Sequence, residues 1–297
     1  MPTKVEKDAI AGQETTGHEW DGIKELNTPL PKWWLYVLYA TIAWSLVWWI
    51  LFPSWPWGRG YFPGVTGANQ RVEFEARAAA AREGQAQYLD RIAAADLSQI
   101  SQDPDLLSFA LAGGGAAFAD NCAPCHGPGG AGQGFYPTLA DDAWIWGGTL
   151  DDIQTTILHG IRSDDEETHF NEMPAFGDGM LSAEEIDATA EYVLSLSGRS
   201  DHAELAAQGA TTFADQCAVC HGEQGEGLAE LGGPRLNDQI WLYGGDKADV
   251  IAQIRQPRHG VMPAWSGRLD PETIKILAVY VHSLGGGQYA GAGPSLP

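Results

Sequence analysis

The feature that most constrains this chain is an internal repeat in its C-terminal two thirds, because two similar segments must build two similar units. Residues 118–122 (FADNC) match residues 213–217 (FADQC), and residues 173–176 (MPAF) match residues 262–265 (MPAW). The offset is 95 residues at the cysteines and 89 at the methionines, so the second copy has the shorter middle loop. We therefore expect two related domains of about 85–95 residues, joined by a linker at residues 197–203.

All four cysteines lie in this repeat, in the strings Cys122-Ala-Pro-Cys125-His126 and Cys217-Ala-Val-Cys220-His221. Residues three apart share a helix face, so both thiols can bond one edge of a porphyrin and the next histidine can bind its iron. A structural zinc site needs a second pair of ligands per module, and a thioredoxin-like pair needs a surrounding βαβ pattern; we find neither. The strings predict two covalently bound haem c groups, with His126 and His221 as axial ligands.

Methionine is expected as the second axial ligand, and it raises the reduction potential because a thioether favours Fe(II). The chain has only four methionines, and two of them, Met173 and Met262, lie 47 and 41 residues past their haem histidines in matched Met-Pro-Ala loops. Met180 has no counterpart, so it is expected to be a packing or surface residue. His159 or His169 could take the place of Met173 as the second axial ligand, which would give bis-histidine ligation. Ligation within each module is the default, but two similar modules could also exchange their methionine loops.

An apolar run near the N-terminus has the length of a membrane span. Residues 33–52 carry no charge, and only Thr41 and Ser45 are plainly polar. Twenty helical residues span about 30 Å, the thickness of the hydrocarbon core of a bilayer. A cleaved signal peptide has a shorter apolar core behind a short basic start, whereas 32 residues of mixed charge precede this run. We expect a retained single-pass anchor in the lipid bilayer, whose orientation the nearly even flanking charges leave open.

The charge balance excludes one class of function. Seventeen Lys and Arg against 39 Asp and Glu give a formal net charge of −22, so a nucleic-acid binder is not expected. Residues 104–198 hold sixteen acidic residues and one basic residue, Arg162. This excess is either an ordinary solvated surface or a face that steers a basic redox partner to the first haem.

Residues 20–34 (WDGIKELNTPLPKWW), the Trp-rich anchor, residues 53–56 (PSWP) and the two Cys-x-x-Cys-His-Gly modules together resemble the dihaem subunit III family of cbb3-type cytochrome c oxidase. The resemblance implies haem domains on the periplasmic side of a bacterial inner membrane and a cytoplasmic N-terminus. It implies that electrons pass from a soluble or membrane-bound donor cytochrome c through these haems to the monohaem subunit. They then reach the haem–copper centre of the catalytic subunit, which reduces oxygen and pumps protons. No catalytic residue is expected on this chain.

The expected fold is all-α, with a single N-terminal transmembrane helix followed by two tandem cytochrome c (class I) domains. The expected divisions are a cytoplasmic segment (1–32), an anchor (33–57), a helical spacer (58–103) and two cytochrome c domains (104–198 and 199–297). Within this scheme we expect a helix over residues 69–95 and a second, short spacer helix after Asp103-Pro104.

Two other functions remain as alternatives. One is a free-standing, membrane-tethered dihaem shuttle or the cytochrome subunit of a periplasmic dehydrogenase. The other is a catalytic or sensory haem protein, which usually needs an open sixth position on the iron. Two irons capped by methionine disfavour this last class.

Overall fold

The protein is described by a computed structural model that covers residues 4–288, and the chain divides into two compact units between Glu83 and Gly84. The first unit begins with an antiparallel hairpin of strands β1 (Thr15–Trp20) and β2 (Ile23–Leu26). Asp21 and Gly22 turn this hairpin with φ values of 48° and 84°, the left-handed conformation that a tight two-residue turn requires. A second, two-residue hairpin joins β3 (Pro56–Trp57) and β4 (Gly60–Tyr61). Neither hairpin was predicted, although the fold is mostly helical as expected.

Helix α1 (Lys32–Leu51) lies where the apolar run predicts an anchor. It has a mean hydropathy of 1.6, no residue of it is buried, and it is the one helix within residues 4–288 that is long and apolar enough to cross a membrane. Phe52 is extended (φ −118°, ψ 164°), as a residue before proline prefers, and this ends the helix. The tryptophans at positions 55 and 57 therefore follow the helix rather than belonging to it.

Three helices follow: α2 (Gln70–Ala94), α3 (Leu97–Gln102) and α4 (Pro104–Asn121). The sequence predicts α2 well, but it missed α3, which begins with an Asp96–Gln99 capping box. The expectation of a short spacer helix after Asp103-Pro104 is wrong. That helix has 18 residues, starts at an Asp103 cap with proline at its first position, and runs up to Cys122. It therefore belongs to a haem module and not to the spacer.

The remaining helices pack into two hydrophobic cores. They are α5 (Ala123–His126), α6 (Leu150–His159), α7 (Ala183–Leu196), α8 (Ala203–Thr212), α9 (Ala218–His221), α10 (Lys247–Arg255) and α11 (Pro271–His282). The first core is built on α4, α6 and α11, with buried Phe118 and Leu277, and it also includes Ile92 of α2 and Ile100 of α3. The second core consists of α7, α8 and α10, with buried Ile186 and Phe213. Each core therefore takes its last helix from the other copy of the repeat.

The same helix crossing occurs in both cores. Gly114 of α4 lies so close to α11 that an added methyl group would fall 2.5 Å from Tyr280 Cβ. Gly209, its equivalent in α8, contacts the backbone of Ala188 in α7 just as closely. Phe118 packs on Tyr280 with ring centroids 5.4 Å apart, and in the second core the rings at positions 213 and 192 are 5.0 Å apart. The repeated residues therefore make equivalent contacts in the two cores, although each contact joins a residue of one copy to a residue of the other.

The chain crosses between the cores twice. Residues 161–172 lead from the first core to the second and residues 256–261 lead back; we call these the crossing segments. The segments meet at Ile161 and at Met262, the residue that directly follows the second segment. These two residues exchange two backbone hydrogen bonds of 2.9 and 3.0 Å. On either side, Trp265 N donates to Ile157 O (3.1 Å) and Phe176 N donates to Ile254 O (3.3 Å). The linker expected at residues 197–203 instead forms the turn that connects α7 and α8 of one core, with Ala203 as the first residue of α8.

Two candidate haem sites

In each cysteine string, the first cysteine directly precedes a one-turn helix, which contains the second cysteine and the histidine. Cys122 precedes α5, its backbone N–H bonds Phe118 O at 2.8 Å, and Gly127 ends the turn with a φ of 74°. Gly222 ends α9 in the same way, with a φ of 79°. All four thiols are free of disulfide bonds. Burial raises the pKa of the Cys122 and Cys217 thiols to about 11, so both are protonated at neutral pH.

The two histidines are held in the protonation state that iron ligation needs. His126 Nδ1 lies 3.0 Å from the carbonyl oxygen of Pro137, and His221 Nδ1 lies 2.9 Å from that of Pro234. A carbonyl only accepts, so Nδ1 carries the proton and Nε2 keeps a free lone pair. Burial lowers the pKa of both imidazoles, and the bonds to the carbonyls oppose this only in part. Both rings are therefore neutral, with Nε2 available to a metal.

The donor set does not fit a bare metal ion. Within residues 4–288, no group of three or more His, Cys, Asp or Glu side chains is placed to hold one. One imidazole beside two thiols suits a metal that brings its own planar ligand. The residues present thus fit a haem attached through its edge, and they argue against the zinc alternative.

The methionines lie in the opposite cores from those that the chain order suggests. Met262 is half-buried against the first core, which includes Cys122 at its edge. Met173 is half-buried against the second core, which contains Cys217. Each methionine therefore packs against the core that contains the cysteine string of the other copy. The default of ligation within each copy does not match this packing, whereas the exchange that the sequence left open does.

The residues named as alternatives are engaged elsewhere. His159 lies with Nδ1 2.9 Å from Asp165 and Nε2 3.3 Å from Glu167, so both of its nitrogens face carboxylates. His169 lies with Nε2 3.1 Å from Thr156 Oγ1 and stacks on Trp146 at 4.5 Å. Met180 is exposed. The geometry does not favour bis-histidine ligation.

Trp241 was not predicted from the sequence as a residue of the second site, although residues 241–245 (WLYGG) align with residues 144–148 (WIWGG) in the repeat. Trp241 packs against the second core, and its Nε1 is buried without a hydrogen-bond partner among the described residues. In the first core, Trp144 Nε1 donates to the carbonyl of Gly286 at 2.6 Å. A buried unpaired donor costs about 1–3 kcal/mol, so Trp241 indicates that a bound group with an acceptor, such as a haem carboxylate, completes the site. Its signal in the sequence was its place in the repeat.

A site that offers two thiols to one edge of a macrocycle and a neutral imidazole to its metal is a c-type haem site, so the class of the protein is that of the c-type cytochromes. Family models agree. The model of the N-terminal domain of cytochrome oxidase-cbb3, FixP, matches residues 12–59, and the cytochrome c model matches residues 111–197. The model of cytochrome c oxidase, cbb3-type, subunit III, matches residues 204–281.

Full-length relatives identify the family. The cbb3-type cytochrome c oxidase subunit CcoP of Azospirillum brasilense is 54% identical, over 95% of this chain and 99% of the relative. The subunit FixP of Bradyrhizobium diazoefficiens is 50% identical, over 97% of this chain and 100% of the relative. The chain belongs to the CcoP/FixP family of cbb3-type cytochrome c oxidase subunits. Its two cytochrome c domains bind two haem c groups covalently.

Proposed function

We propose that this chain is the membrane-anchored, dihaem electron-transfer subunit of a cbb3-type oxidase, and that it relays electrons from a donor cytochrome c to the other haem subunits. The observation that carries this proposal is the pair of matched sites, each with two thiols, one neutral imidazole and one methionine loop. Bound haem supplies one-electron transfer, and a histidine–methionine pair favours its ferrous state.

The residue assignment is part of this proposal. Cys122 and Cys125 hold the first haem and Cys217 and Cys220 hold the second, through thioether bonds. His126 and Met262 are the axial ligands of the first haem, and His221 and Met173 are those of the second. The packing of each methionine loop on the core of the other copy supports this exchanged pairing. The carbonyls of Pro137 and Pro234 orient the imidazoles, as outer-shell partners of metal-binding histidines do.

Two haem irons that each have a histidine and a methionine ligand suit electron transfer rather than catalysis, because oxygen chemistry needs an open coordination position. We therefore place oxygen reduction and proton pumping on the catalytic subunit and no catalytic residue on this chain. Its partners would be that subunit, the monohaem subunit, the donor cytochrome c and the lipid bilayer around α1. The haem units would be periplasmic and the N-terminus cytoplasmic, because c-type haem is attached outside the cytoplasm.

The exchange also moves the proposed docking face for the donor. Residues 173–255, which form the second core, hold fourteen acidic and four basic residues. Residues 104–160 and 262–288, which form most of the first core, hold eight acidic and two basic residues. Of the sixteen acidic residues of the first copy, five lie in residues 173–198 and belong to the second core, whereas six lie in residues 104–160 and stay with the first core. The second core therefore has the larger acidic excess, although the acidic face was attributed from the sequence to the first haem. We propose that a basic donor docks on the second core.

Gentle solubilisation of the membrane tests the function. We expect the chain to copurify with subunits that carry b-type haem and copper, and to keep both haems under denaturing conditions. Isolation of the intact chain alone, still able to shuttle electrons, would instead support the free-standing shuttle.

Replacement of the methionines tests the ligand pairing. In a protein whose second attachment site is removed by Cys217→Ser and Cys220→Ser, Met262→His should lower the reduction potential of the remaining haem. Met173→His should leave that potential nearly unchanged. The reverse result would favour the alternative in which each methionine binds the haem of its own copy.

A further inference from the structure

One arginine side chain contacts both crossing segments, at the same distance along the chain from each methionine. Arg162 donates from Nε to the carbonyl oxygen of Gly260 at 2.7 Å and from Nη1 to that of Asn171 at 3.0 Å. Gly260 lies two residues before Met262, and Asn171 lies two residues before Met173. A single guanidinium group therefore holds the backbone that enters each methionine loop.

The backbone of Arg162 is held in a conformation that arginine rarely adopts. Its φ is +50°, in the left-handed region, which is unfavourable for an L-residue because Cβ comes too close to the backbone carbonyl oxygen. Its N–H donates to the carbonyl of His169 at 2.8 Å, and the preceding Ile161 exchanges two hydrogen bonds with Met262. Such strain persists where the surroundings fix it, and it is often found at functional sites. Here it aims the side chain between the two segments.

The charge of Arg162 is not used to pair with a carboxylate. It is the single basic residue of residues 104–198, and residues 164–172 next to it hold five acidic residues. Yet within residues 4–288 its side chain makes no salt bridge, and its hydrogen bonds end on two carbonyl oxygens from different segments. The planar, multi-donor guanidinium suits this bridging, whereas an ammonium group is a point charge on a flexible stem.

Asn171 extends the contact on one side only. Its side-chain amide donates to the carbonyl of Leu231 at 2.6 Å, which ties the first crossing segment to a loop that follows His221 in the chain. No equivalent side chain is present at Gly260. Arg162 thus acts on both methionine loops, and Asn171 adds support to the Met173 loop alone.

We propose that Arg162 is a positioning residue for both methionine ligands, so that one side chain couples the coordination of the two haems. This inference rests on the exchanged ligation proposed above. Without the guanidinium, both crossing segments lose an anchor two residues before the ligand. Each methionine then dissociates from its iron more readily, and the two sites loosen together.

The test uses the full-length, membrane-anchored holoprotein with Arg162→Gln, which removes the charge and the fork. Single-haem backgrounds lacking either Cys122 and Cys125 or Cys217 and Cys220 report each site separately. The readouts are the far-red charge-transfer band of methionine-ligated ferric haem and carbon monoxide binding to ferrous haem. We expect the band to weaken at both haems and carbon monoxide binding to become about tenfold faster, because both loops lose a hydrogen bond from a charged group.

Three variants separate positioning from a general structural effect. Arg258→Gln removes the same charge from the other crossing segment, but Arg258 donates to Tyr243 O and stacks on Phe135, so both bands should stay near wild type. Asn171→Ala should weaken the band of the second haem alone. Arg162→Lys keeps the charge without the fork and should give an intermediate loss. If the glutamine variant does not fold, the lysine variant tests the positioning role in its place.

Unchanged bands in Arg162→Gln, or a loss at one haem only, would overturn the joint positioning role. Full restoration of both bands by lysine would also overturn it, because a point charge would then suffice. A wild-type protein without the methionine band would refute the proposed ligation itself, before any arginine variant is compared. The two failures are therefore distinguishable.

Discussion

The two haem cores contain equivalent helices, but the chain supplies them in different ways. The second core is one continuous stretch, residues 173–255, in which the methionine loop and α7 come before the cysteine string. The first core is interrupted by that stretch, and α11 near the C-terminus completes it. The difference shows that a repeat in sequence is not always a unit of packing. Two copies of one fold can exchange their last helices and keep equivalent helix contacts in both cores.

The cores also differ in what surrounds them. The first core is supported by the spacer, because Lys275 Nζ donates to three carbonyls at the end of α2, those of Ile92, Ala93 and Ala95, at 2.7–3.1 Å. The second core instead contains Glu191, which is 2% exposed and accepts hydrogen bonds from Ser200 and from two backbone N–H groups in the α7–α8 turn. The cysteine string of the second core is also preceded by a π-helical turn (Phe213–Cys217), whereas α4 stays α-helical up to Asn121.

The largest expected effect follows from ending the chain at Arg255. This truncation removes Met262 and α11 but leaves residues 173–255 whole. We expect the first haem to lose its methionine band and its protected environment, while the second haem keeps both. The measurement is the band intensity of each haem in the single-haem backgrounds.

The same truncation discriminates between the two arrangements of the chain. In a tandem arrangement, residues 199–297 would form the second domain, so the second haem would be the one damaged. A chain ending at Gln288 keeps the hydrogen bonds of Gln288 to Gly148 and His282, so it serves as the control and should leave both haems as in the wild type. Loss of the second haem's band in the Arg255 truncation would contradict the exchange.

A pair of core substitutions tests the exchange without shortening the chain. Leu277 is fully buried in the first core and Ile186 is 2% exposed in the second, although each belongs by sequence to the other copy. Leu277→Ala and Ile186→Ala should each cost about 2–5 kcal/mol of unfolding free energy. Denaturant titration, followed at each haem, should show Leu277→Ala acting on the first haem and Ile186→Ala on the second. The opposite assignment would favour domains that follow the sequence copies.

Sequence patterns predicted the local chemistry well because that chemistry is local. The cysteine strings, α1 and α2 each depend on spacing or composition within a few turns. The pairing of α4 with α11 could not be predicted in this way, because Gly114 and Gly209 face nearly the same aromatic and aliphatic surface in either arrangement. The choice depends on the backbone path through residues 161–172, where Arg162 looked like a lone surface charge. Its partners are main-chain carbonyls, which leave no signal in the sequence.

A smaller effect should come from the turn between α7 and α8. Burial alone would raise the pKa of Glu191, but hydrogen bonds from Ser200 and Lys247 outweigh it and hold the pKa below its usual value. A lowered folded-state pKa stabilises the protein above the unfolded value of about 4.3, and this stabilisation is lost as the pH falls through the folded value. Glu191→Gln should cost about 1–3 kcal/mol near neutral pH.

The pH dependence distinguishes this interaction from simple packing. The difference in unfolding free energy between wild type and Glu191→Gln should shrink on acidification below about pH 4, where the wild-type carboxylate also becomes neutral. The matched substitution in the first core, Lys275→Met, removes three hydrogen bonds to carbonyls and a weak interaction with Asp96, so its cost should change much less over the same range. A difference for Glu191→Gln that does not change with pH would contradict the role of its charge.

The smallest expected effect concerns the donor. If a basic cytochrome c docks on the second core, then Glu184→Gln and Glu204→Gln, two exposed positions on α7 and α8, should each slow electron input about twofold at low salt. Asp105→Asn and Asp120→Asn, exposed positions on α4 of the first core, should leave the rate nearly unchanged. The differences should vanish at high salt, where exposed charges are screened. Equal slowing by both pairs would mean that the net charge, and not the second core, attracts the donor, because steering by overall charge does not depend on which core carries it.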